Sequence, residues 1–358
     1  MIETSQRTIT EIASPVSSSQ WSQLCEVMNG YVYSQILVTA CDLDLFSLLS
    51  ERPGATQQQV SEKLHLSSHS TRVLLLGASA AGLIVREPEN GGYHNSDLAD
   101  KVLVAGSPCS MIPFIQFNQR IQQRCIGRLT QALKENRNAG LDEFPGSGGT
   151  LYERLTEYPE LERLFQEAMA AYTRLAPRVL EFPELSSARH LLDVGGGDGS
   201  NAMRLCERFP SLRVTILDIP SVIQIARESV DGSEFAGRIS FTRADMFTDT
   251  WPAECDAILF SHVVEIFSPE KIRALYTKAY SSLPKGGTMF VWTLMSNDTE
   301  TGALQAAKSS IYFLAAASGE GMAYPGSDHE RLIREVGFTQ IRRHYAEEVD
   351  HGGLIAIK

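Results

Sequence analysis

The sequence predicts an α/β fold, a doubly wound and mostly parallel sheet preceded by a mostly helical domain of the winged-helix type. The first observation is that apolar strand patterns alternate with amphipathic helix patterns from His190 onward, which is typical of a parallel sheet covered by helices on both faces. The second is that the chain before His190 carries helical periodicity and a single short hairpin pattern. We therefore expect two differently built parts in this chain of 358 residues.

The N-terminal part is predicted to be a winged-helix domain over 20–105, after a polar, disordered tail over 1–19. Helical periodicity extends over 20–50. Two helices, 56–64 and 71–81, are expected to follow with a turn between them, and then a hairpin of 83–86 with 92–95. Such an arrangement often binds DNA. The second helix offers only Arg72 as a basic residue, so we expect a dimerisation domain instead.

A helical linker and substrate-pocket region is expected over 106–184. Apolar periodicity predicts helices over 107–128 and 159–180. The glycine-rich stretch 143–150 predicts a loop and is a candidate linker.

The remaining domain, 185–358, is predicted to contain the sheet. Two helices are expected over 269–283 and 327–335, and an antiparallel hairpin of 339–347 with 354–358 is expected at the sheet edge. The other expected strands are 190–195, 213–219, 238–244, 256–263 and 288–295.

The stretch His190–Gly199 predicts a buried strand that runs into a glycine turn and opens a helix. Glycines at 195, 197 and 199 leave room for a ligand to approach the backbone closely. Ser200 and Asn201 are expected to cap the helix, whose N-terminal N–H groups would face that ligand.

Two carboxylates predict which ligand this turn binds. Asp193 ends the first strand, and Asp218 ends the next one, where a carboxylate accepts hydrogen bonds from ribose hydroxyls. The dinucleotide fingerprint G-x-G-x-x-G is not met, because Ser200 occupies its third glycine position. An acid before the glycines would repel a pyrophosphate but suits an ammonium group and a sulfonium. We therefore expect S-adenosylmethionine rather than a nicotinamide cofactor.

Further cofactor contacts are predicted after the third and fourth strands. Asp245 is placed to accept from an adenine amino group, and Met246 is placed to pack on the adenine ring. Ser261 lies near the end of the fourth strand, at the same edge of the sheet. The full predicted cofactor set is Asp193, Gly195, Gly197, Asp218, Asp245, Met246, Phe247 and Ser261.

Composition limits the class of partner. A hydrophobic fraction of 43% and a charged fraction of 21% are ordinary for a soluble globular protein. A net charge of −11 argues against nucleic acid or an anionic membrane as a partner. The sequence shows no signal peptide, no spanning run, no paired cysteine spacing and no histidine pair spaced for a metal. We expect a cytoplasmic protein that binds no metal.

Several motifs together resemble the small-molecule O-methyltransferases of the caffeate and acetylserotonin type. The resemblance implies a winged-helix dimerisation domain followed by a class I, Rossmann-like methyltransferase domain, and it implies a homodimer. It also implies that Gly195, Asp218, Asp245 and Met246 bind S-adenosylmethionine and that Met169 lines the acceptor pocket. The matching pieces are Leu151-Tyr152, 165–169 with Thr173, 193–199, Asp218, 245–247, 284–287 and 336–338.

The sequence departs from this family at the catalytic base. In O-methylating members the fourth strand leads into His-x-x-His-Asp-Trp, and the second histidine deprotonates the acceptor hydroxyl. Here Glu265 takes the place of that histidine, and Ile266 and Phe267 replace the Asp and Trp. Thr293 and Ala323 occupy the two positions where the family has the acidic residues that orient the base. The whole base assembly of the family is therefore expected to be missing.

This departure leads to the functional hypotheses. A phenol, with a pKa of about 10, benefits from a base, whereas a thioether sulfur attacks a methyl sulfonium without losing a proton. The leading prediction is S-methylation of a methionine-related hydroxy or amino acid, as in the family's sulfur-methylating branch that makes the precursor of dimethylsulfoniopropionate. Alternatives are O-methylation, C- or N-methylation, and a non-methylating relative that catalyses a rearrangement or cyclisation.

The predicted catalytic residue is Glu265, acting as a base or by its charge, unless it faces solvent and pairs with a lysine. An arginine is expected to bind a substrate carboxylate, with Arg120 favoured over Arg124 and Arg174. The predicted acceptor-binding set is Arg120, Met169, Tyr172, His262, Tyr312 and Tyr324.

Overall fold

A computed structural model describes residues 17–89, 91–175, 182–346 and 351–358. The chain divides between Ser110 and Met111 into two compact units. Most of the predicted tail, the end of the helix predicted over 159–180, and Glu347 lie outside the described residues. The part of the tail that is described, 17–19, is not tail, because the Ser17 side chain caps the first helix.

The first unit is mostly helical. Its predicted periodicity over 20–50 forms two helices rather than one, with a break at Leu43–Asp44, where Asp44 adopts a left-handed conformation (φ 57°). The elements are α1 (Ser18–Asp42), α2 (Leu45–Glu51), α3 (Gln57–Lys63), α4 (Ser68–Ala80), β1 (Ile84–Arg86), β2 (Tyr93–Asn95) and α5 (Asp97–Val102).

Two helices and a hairpin follow α2 in the order that the sequence predicts. The hairpin is confirmed, since β1 and β2 pair antiparallel with Ile84 opposite Asn95. The predicted turn over 65–69 is shorter than expected, because the Ser67 hydroxyl accepts from Ser70 N and starts α4 at Ser68. Leu45, Val60 and Leu75 form the buried side of these helices.

The N-terminal part of α1 presents apolar side chains to solvent within its own unit. Val27 is 77% exposed and Tyr31 is 67% exposed. Trp21, Leu24 and Met28 are exposed beside them. Among the described residues, no single helix has the length and apolar composition to cross a membrane, although α1 and α2, bent by 57°, pass that test as a pair.

The second unit begins with short helices. The loop predicted over 143–150 lies between helical segments of this unit, so it does not connect the two compact units. The elements are α6 (Ile112–Phe117), a π-helical turn (Asn118–Gln122), α7 (Gln123–Ile126), α8 (Leu129–Glu135), a 3₁₀ turn (Ala139–Glu143), α9 (Leu151–Leu155) and α10 (Pro159–Leu175).

The strands and helices of the sheet then alternate as predicted, with most bounds within one or two residues. The strands are β3 (His190–Val194), β4 (Arg213–Asp218), β5 (Ile239–Arg243), β6 (Ala257–Ser261), β7 (Thr288–Leu294), β8 (Gln340–Ala346) and β9 (His351–Ile357). The helices between them are α11 (Ser200–Arg208), α12 (Pro220–Val230), α13 (Pro269–Ser282), α14 (Leu304–Tyr312) and α15 (Gly326–Val336).

In the described residues these strands form one seven-stranded sheet in the order β5-β4-β3-β6-β7-β9-β8. β9 runs antiparallel to its neighbours β7 and β8, which confirms the predicted hairpin at the edge, although β9 begins at His351 rather than at Leu354. The direction of strand order reverses between β3 and β6. Ligands bind at such a switch point, outside the carboxyl ends of the strands.

Candidate functional site

The glycine turn after β3 lies at the switch point. Gly195 has φ 72°, and a Cβ placed there would lie 2.6 Å from a methyl carbon of Val263, which follows β6. The predicted helix caps are wrong: Gly199 precedes α11 in a left-handed conformation, and Asp198 accepts from the Ser200 N–H at 3.0 Å. The Asn201 amide instead donates to the Ser261 hydroxyl at 3.1 Å. The turn is thus joined to the segment after β6.

Asp193 carries a buried carboxylate at the start of this turn. The residue is 1% exposed, and neither carboxylate oxygen has a hydrogen-bond partner among the described residues. Burial, helped by the charge of Asp218, raises the pKa of Asp193 to about 7. A buried carboxylate of this kind fits a cationic ligand, which would supply the missing partner.

Asp218 ends β4 beside it. Its two oxygens accept from Gly197 N at 3.0 Å and from Ile219 N at 2.8 Å. Burial nevertheless raises the pKa of Asp218 to about 6, and the Glu162 carboxylate on α10 contributes in the same direction. The two acids create a negative potential around the glycine turn, which favours the ammonium and sulfonium of S-adenosylmethionine over a pyrophosphate.

The segment predicted to bind adenine follows β5 at the same edge of the sheet. Asp245 is exposed, and its Oδ1 accepts from Phe247 N at 2.7 Å and from Thr248 N at 3.0 Å. Met246 and Phe247 are half-buried against the core. Their carbonyl oxygens accept from the Lys278 ammonium at 3.0 and 3.1 Å. These bonds fix the turn that presents the Asp245 side chain.

The segment after β6 carries the residues that replace the family's base. Glu265 lies in a 3₁₀ turn, Val264–Ile266, and is only 2% exposed, so the alternative that it faces solvent is wrong. Its Oε1 lies 3.2 Å from Nδ1 of His262. His262 itself has φ 56°, and its N–H donates to Trp292 O at 2.9 Å.

The neighbours of Glu265 keep its carboxyl group charged. Burial by itself would raise its pKa, but hydrogen bonds to the carboxylate, first of all from His262, together with the charge of His262 when it is protonated, leave the pKa lowered. The Thr293 hydroxyl lies beside the carboxylate and also lowers its pKa, although the two groups form no well-aligned hydrogen bond. Glu265 is therefore ionised at neutral pH, and in the described residues its Oε2 has no hydrogen-bond partner.

A stack of rings holds the His262 imidazole. The Tyr172 ring stands edge-on to it at 5.8 Å, and the His351 ring stands edge-on at 4.9 Å. Tyr172 in turn stacks on Phe114 at 5.3 Å, and His351 stacks on Trp292 at 5.3 Å. We name this group, Phe114, Tyr172, His262, His351 and Trp292, the ring stack. It joins α6, α10, β7 and β9 around one imidazole.

A second buried histidine lies near Glu265. The Tyr276 hydroxyl is 2.9 Å from Nδ1 of His329. Burial lowers the pKa of His329 to about 4, although the charge of Glu265 opposes this shift. His329 is therefore neutral at pH 7, and its Nε2 has no hydrogen-bond partner in the described residues.

Of the remaining predicted acceptor residues, Met169, Tyr312 and Tyr324 make contacts within the second unit, whereas Arg120 lies at its surface. Met169 and Tyr312 pack in the apolar cluster formed by α6, α9, α10 and α14, and burial raises the pKa of the Tyr312 phenol well above its ordinary value. The Tyr324 hydroxyl donates to Glu320 O at 3.1 Å. Arg120 is exposed and lies 4.0 Å from Glu160 in an open surface groove that Arg124 also lines, without a described contact to the ring stack.

Sequence reasoning missed the ring stack and the Tyr276–His329 pair. The sequence does not distinguish Phe114 and Trp292 from ordinary core residues, because their spacing fits the apolar pattern around them. His351 depends on the pairing of β9 with β7, which a sequence does not specify. Within the described residues, no group of His, Cys, Asp and Glu could hold a metal ion.

A doubly wound sheet with a site for a cationic ligand at its switch point, next to a buried carboxylate–imidazole pair, is the architecture of an S-adenosylmethionine-dependent methyltransferase. Family comparison agrees. An O-methyltransferase domain model matches 127–339, and an O-methyltransferase dimerisation domain model matches 25–105. The chain therefore belongs to the O-methyltransferase family, which confirms the predicted resemblance, fold class and cofactor.

Three similar proteins span nearly the whole chain. L-tyrosine C(3)-methyltransferase of Streptomyces lavendulae is 33% identical over 94% of this chain and 92% of its own length. The 3-hydroxy-5-methyl-1-naphthoate 3-O-methyltransferase of Streptomyces sahachiroi is 28% identical over 89% and 90%. The crystal structure of human N-acetylserotonin methyltransferase with S-adenosylmethionine has a TM-score of 0.87 and 26% identity over 97% and 99%.

The protein is thus an enzyme, an S-adenosylmethionine-dependent methyltransferase that acts on small molecules of secondary metabolism. The relatives named above include a C-methyltransferase and an O-methyltransferase. Neither of these supports the predicted S-methylation of a thioether.

Proposed function

We propose that this enzyme transfers a methyl group to a ring carbon next to the hydroxyl of a small phenol, with tyrosine or a close derivative as the acceptor. The observation that carries the proposal is the buried Glu265–His262 pair, whose atoms lie 3.2 Å apart at the carboxyl end of β6. The similarity to a tyrosine C(3)-methyltransferase supports this choice among the possible phenols.

The buried pair argues against a thioether acceptor. A thioether sulfur has no proton to lose, so its pocket needs only correct positioning. Burying a carboxylate costs free energy, and an apolar pair of the same size would be at least as stable. The presence of Glu265 beside an imidazole is therefore better explained by an acceptor that must lose a proton.

The chemistry of a phenol connects proton removal with carbon methylation. When the hydroxyl loses its proton, negative charge spreads to the ring carbons that flank it, and one of these carbons becomes the nucleophile. S-adenosylmethionine supplies an electrophilic methyl group and keeps the electron pair of the broken S–CH₃ bond. The methylated carbon then releases its hydrogen as a proton, which restores the aromatic ring, and the phenolate oxygen takes up one proton to become a hydroxyl again. In total, the acceptor gains one methyl group and loses one proton.

We assign the cofactor contacts to the residues that the sequence predicts. Asp193 would face the cationic part of the cofactor, Gly195 and Gly197 would allow close approach, and Asp218 would accept from the ribose. Asp245, with Met246, Phe247 and Ser261, would border the adenine and the edge of β6. The fit is supported by the partnerless oxygens of Asp193 and the left-handed glycines.

We assign the acceptor pocket to the helical region 106–184 together with the ends of β6 and β7. Aromatic walls suit an aromatic acceptor, and Met169, Tyr172 and Tyr312 are the predicted residues that belong to this region or pack against it. Tyr324 borders the His329 side of the site. Arg120 is left out of the proposed pocket because its described partner is Glu160, at an open groove.

The test uses tyrosine carrying deuterium at both ring positions beside the hydroxyl, with S-adenosylmethionine carrying a ¹³C-methyl group. Carbon methylation gives a product that has lost one deuteron and carries its methyl on carbon by NMR. Tyrosine blocked as its O-methyl ether is the control and should not react. A sulfonium product from a thioether acid, with no turnover of any phenol, would overturn the proposal.

O-methylation of the phenol is the second candidate, since the same pair could deprotonate the hydroxyl and a naphthoate O-methyltransferase is also similar. The labelled assay separates the two reactions. O-methylation retains both deuterons and puts the methyl on oxygen.

A further inference from the structure

We infer that the imidazole of His262 is the general base of this enzyme and that Glu265 is a positioning residue that acts through it. This assignment moves the base three residues along the chain from the position that Glu265 takes over from the family's histidine. The inference rests on the proposed function in one respect, namely that the acceptor carries a hydroxyl whose proton must be removed.

The hydrogen bond between the two residues sets the tautomer of the imidazole. Glu265 is ionised at neutral pH, and a carboxylate only accepts hydrogen bonds. Nδ1 of His262, 3.2 Å from Oε1, must therefore carry the proton and donate it. A neutral imidazole protonated at Nδ1 has its lone pair at Nε2. Within the described part of the chain, Nε2 makes no hydrogen bond that would occupy that lone pair.

Access also favours the imidazole as the group that meets the acceptor. The Glu265 side chain is 2% exposed, whereas the His262 side chain is 22% exposed. The partly exposed imidazole can meet an acceptor hydroxyl, while the buried Glu265 carboxylate cannot. A carboxylate behind an imidazole fixes the orientation of the ring and stabilises the imidazolium formed after proton transfer.

His262 is also placed next to the cofactor site. It lies between Ser261, which accepts from Asn201 of α11, and Val263, which closes over Gly195. The strands that precede the glycine turn and His262 are β3 and β6, the two strands that flank the switch point. A base at this place stands beside the ligand that donates the methyl group.

The backbone and the ring stack hold the imidazole in one orientation. A φ of 56° is unusual for a residue with a side chain, and such conformations concentrate at functional sites. The bond from His262 N to Trp292 O secures this conformation. Tyr172 and His351 stand edge-on against the ring. Among the described residues, the titratable groups in contact with the His262 imidazole are Glu265, Tyr172 and His351.

The proton balance of the step is complete. Nε2 takes the hydroxyl proton and becomes an N–H, and the electron pair of the O–H bond moves into the phenolate. After methyl transfer the ring hydrogen leaves as a proton to water, and the imidazolium returns its proton to the phenolate oxygen, which regenerates the phenol and the neutral imidazole. Glu265 stays ionised throughout and forms no bond to the acceptor.

The central variant is His262→Asn, because asparagine tolerates a left-handed backbone and removes the base. With the phenol that wild type methylates, we expect kcat to fall about 10²–10³-fold, while the Kd for S-adenosylmethionine stays within about twofold. The rising limb of kcat/KM against pH should disappear. Added imidazole should restore part of the rate, which a purely structural role would not allow.

Glu265→Gln tests the positioning role. Loss of the carboxylate should lower kcat and leave KM for the phenol nearly unchanged, because the imidazole loses the partner that fixes its tautomer and stabilises the imidazolium. Glu265→Asp should retain more activity than Glu265→Gln. His344→Asn, an exposed histidine on β8, is the matched control and should leave kcat unchanged. His262→Gln, checked by thermal unfolding, serves as the second variant if His262→Asn does not fold.

Two outcomes would overturn the inference. In the first, the His262 variants keep the wild-type rate and pH profile while Glu265→Gln abolishes the activity, which makes Glu265 the base. In the second, phenols with lower pKa values show the same loss on His262→Asn as ordinary phenols, which excludes proton removal by His262. Failure of wild type to methylate any phenol would instead refute the proposed function, so the two failures are distinguishable.

Discussion

At the scale of single residues, Asp193 is a buried carboxylate for which we propose a cationic ligand as the partner. A carboxylate that is 1% exposed and has no described hydrogen-bond partner destabilises the folded protein when it is ionised. Its folded pKa of about 7 lies above the ordinary value of 3.8. The folded state therefore holds this proton more tightly than the unfolded state, so stability without cofactor decreases as pH rises from about 4 to about 7.

Cofactor binding should show the opposite trend. A cationic ligand favours ionised Asp193 and Asp218, so binding releases protons at pH values below their pKa values of about 7 and about 6. We expect the affinity for S-adenosylmethionine to rise with pH from about 5 to about 7, by up to about tenfold per unit for each titrating group. Calorimetry in buffers of different ionisation enthalpy would count the released protons.

Asp193→Asn should weaken binding and remove most of this pH dependence. Asp231→Asn, a surface residue after α12, is the control and should behave as wild type. A dissociation constant that does not change between pH 5 and pH 7 in wild type would contradict the role given to Asp193.

Sequence reasoning locates the charged residues of the site but not their surroundings. Asp193 and Asp218 can be found because each lies at the end of an apolar strand, where ligands bind, and Glu265 because it stands where the resembled family has its base histidine. The hydrogen bond from His262 depends on a left-handed backbone that no propensity predicts for histidine. His351 reaches the site only through antiparallel pairing, and a shift of one residue would turn its side chain to the other face.

At the scale of elements, the turn between β3 and α11 needs a glycine at position 195, because the segment after β6 packs closely against it. Gly195→Ala would place a methyl group 2.6 Å from Val263 in a left-handed conformation. We expect unfolding free energy to fall by about 2–4 kcal/mol and the affinity for S-adenosylmethionine to fall with it. Urea unfolding and cofactor titration measure the two effects.

Gly237→Ala is the matched control for this turn. A Cβ at Gly237 would meet no atom within 4 Å, and its φ is not left-handed. Its effect on unfolding free energy should stay within about 0.5 kcal/mol. Equal stability of the two alanine variants would show that the turn can relax away from Val263.

The alternation of strands and helices is the part of the fold that the sequence predicts best. Parallel strands such as β3 are buried on both faces, so their apolar runs are continuous and easily recognised. Breaks are harder to predict, because apolar periodicity passes through them. The left-handed Asp44 between α1 and α2 is an example, since helical spacing continues on both sides of it.

At the scale of the whole molecule, we propose that the chain works as a homodimer in which the exposed apolar face of α1 meets a second copy. The dimerisation domain match over 25–105 includes most of α1. An apolar surface that includes Val27 and Tyr31, 77% and 67% exposed, is unfavourable in water unless it is covered. A symmetric interface would bury the same residues twice.

Val27→Glu tests this proposal. Because symmetry places two new charges in one interface, we expect the dimer to dissociate at concentrations where wild type is dimeric, by light scattering coupled to gel filtration. Ser22→Glu adds the same charge where helical spacing puts it away from the apolar face. It should leave the molecular mass unchanged. A monomeric wild type would refute the proposal.

The division of the chain into a dimerisation domain, a pocket region and a cofactor domain remains a proposal at this scale. The compact units separate at Ser110–Met111, five residues after the boundary proposed at 105. The helical region 106–184 is largely in the same unit as the sheet, although its composition alone would suggest a separate linker. Packing against the sheet cannot be read from periodicity within one helix.

The position of β9 has a consequence for the ring stack. β9 follows β7 and β8 in the chain but lies between them, so in the described sheet β8 has no strand to pair with until β9 is in place. His351 belongs to this strand, and its ring lies between the rings of Trp292 and His262. The ring contact between His351 and His262 therefore exists only when β9 is paired with β7. A chain in which this pairing has not formed lacks one member of the ring stack.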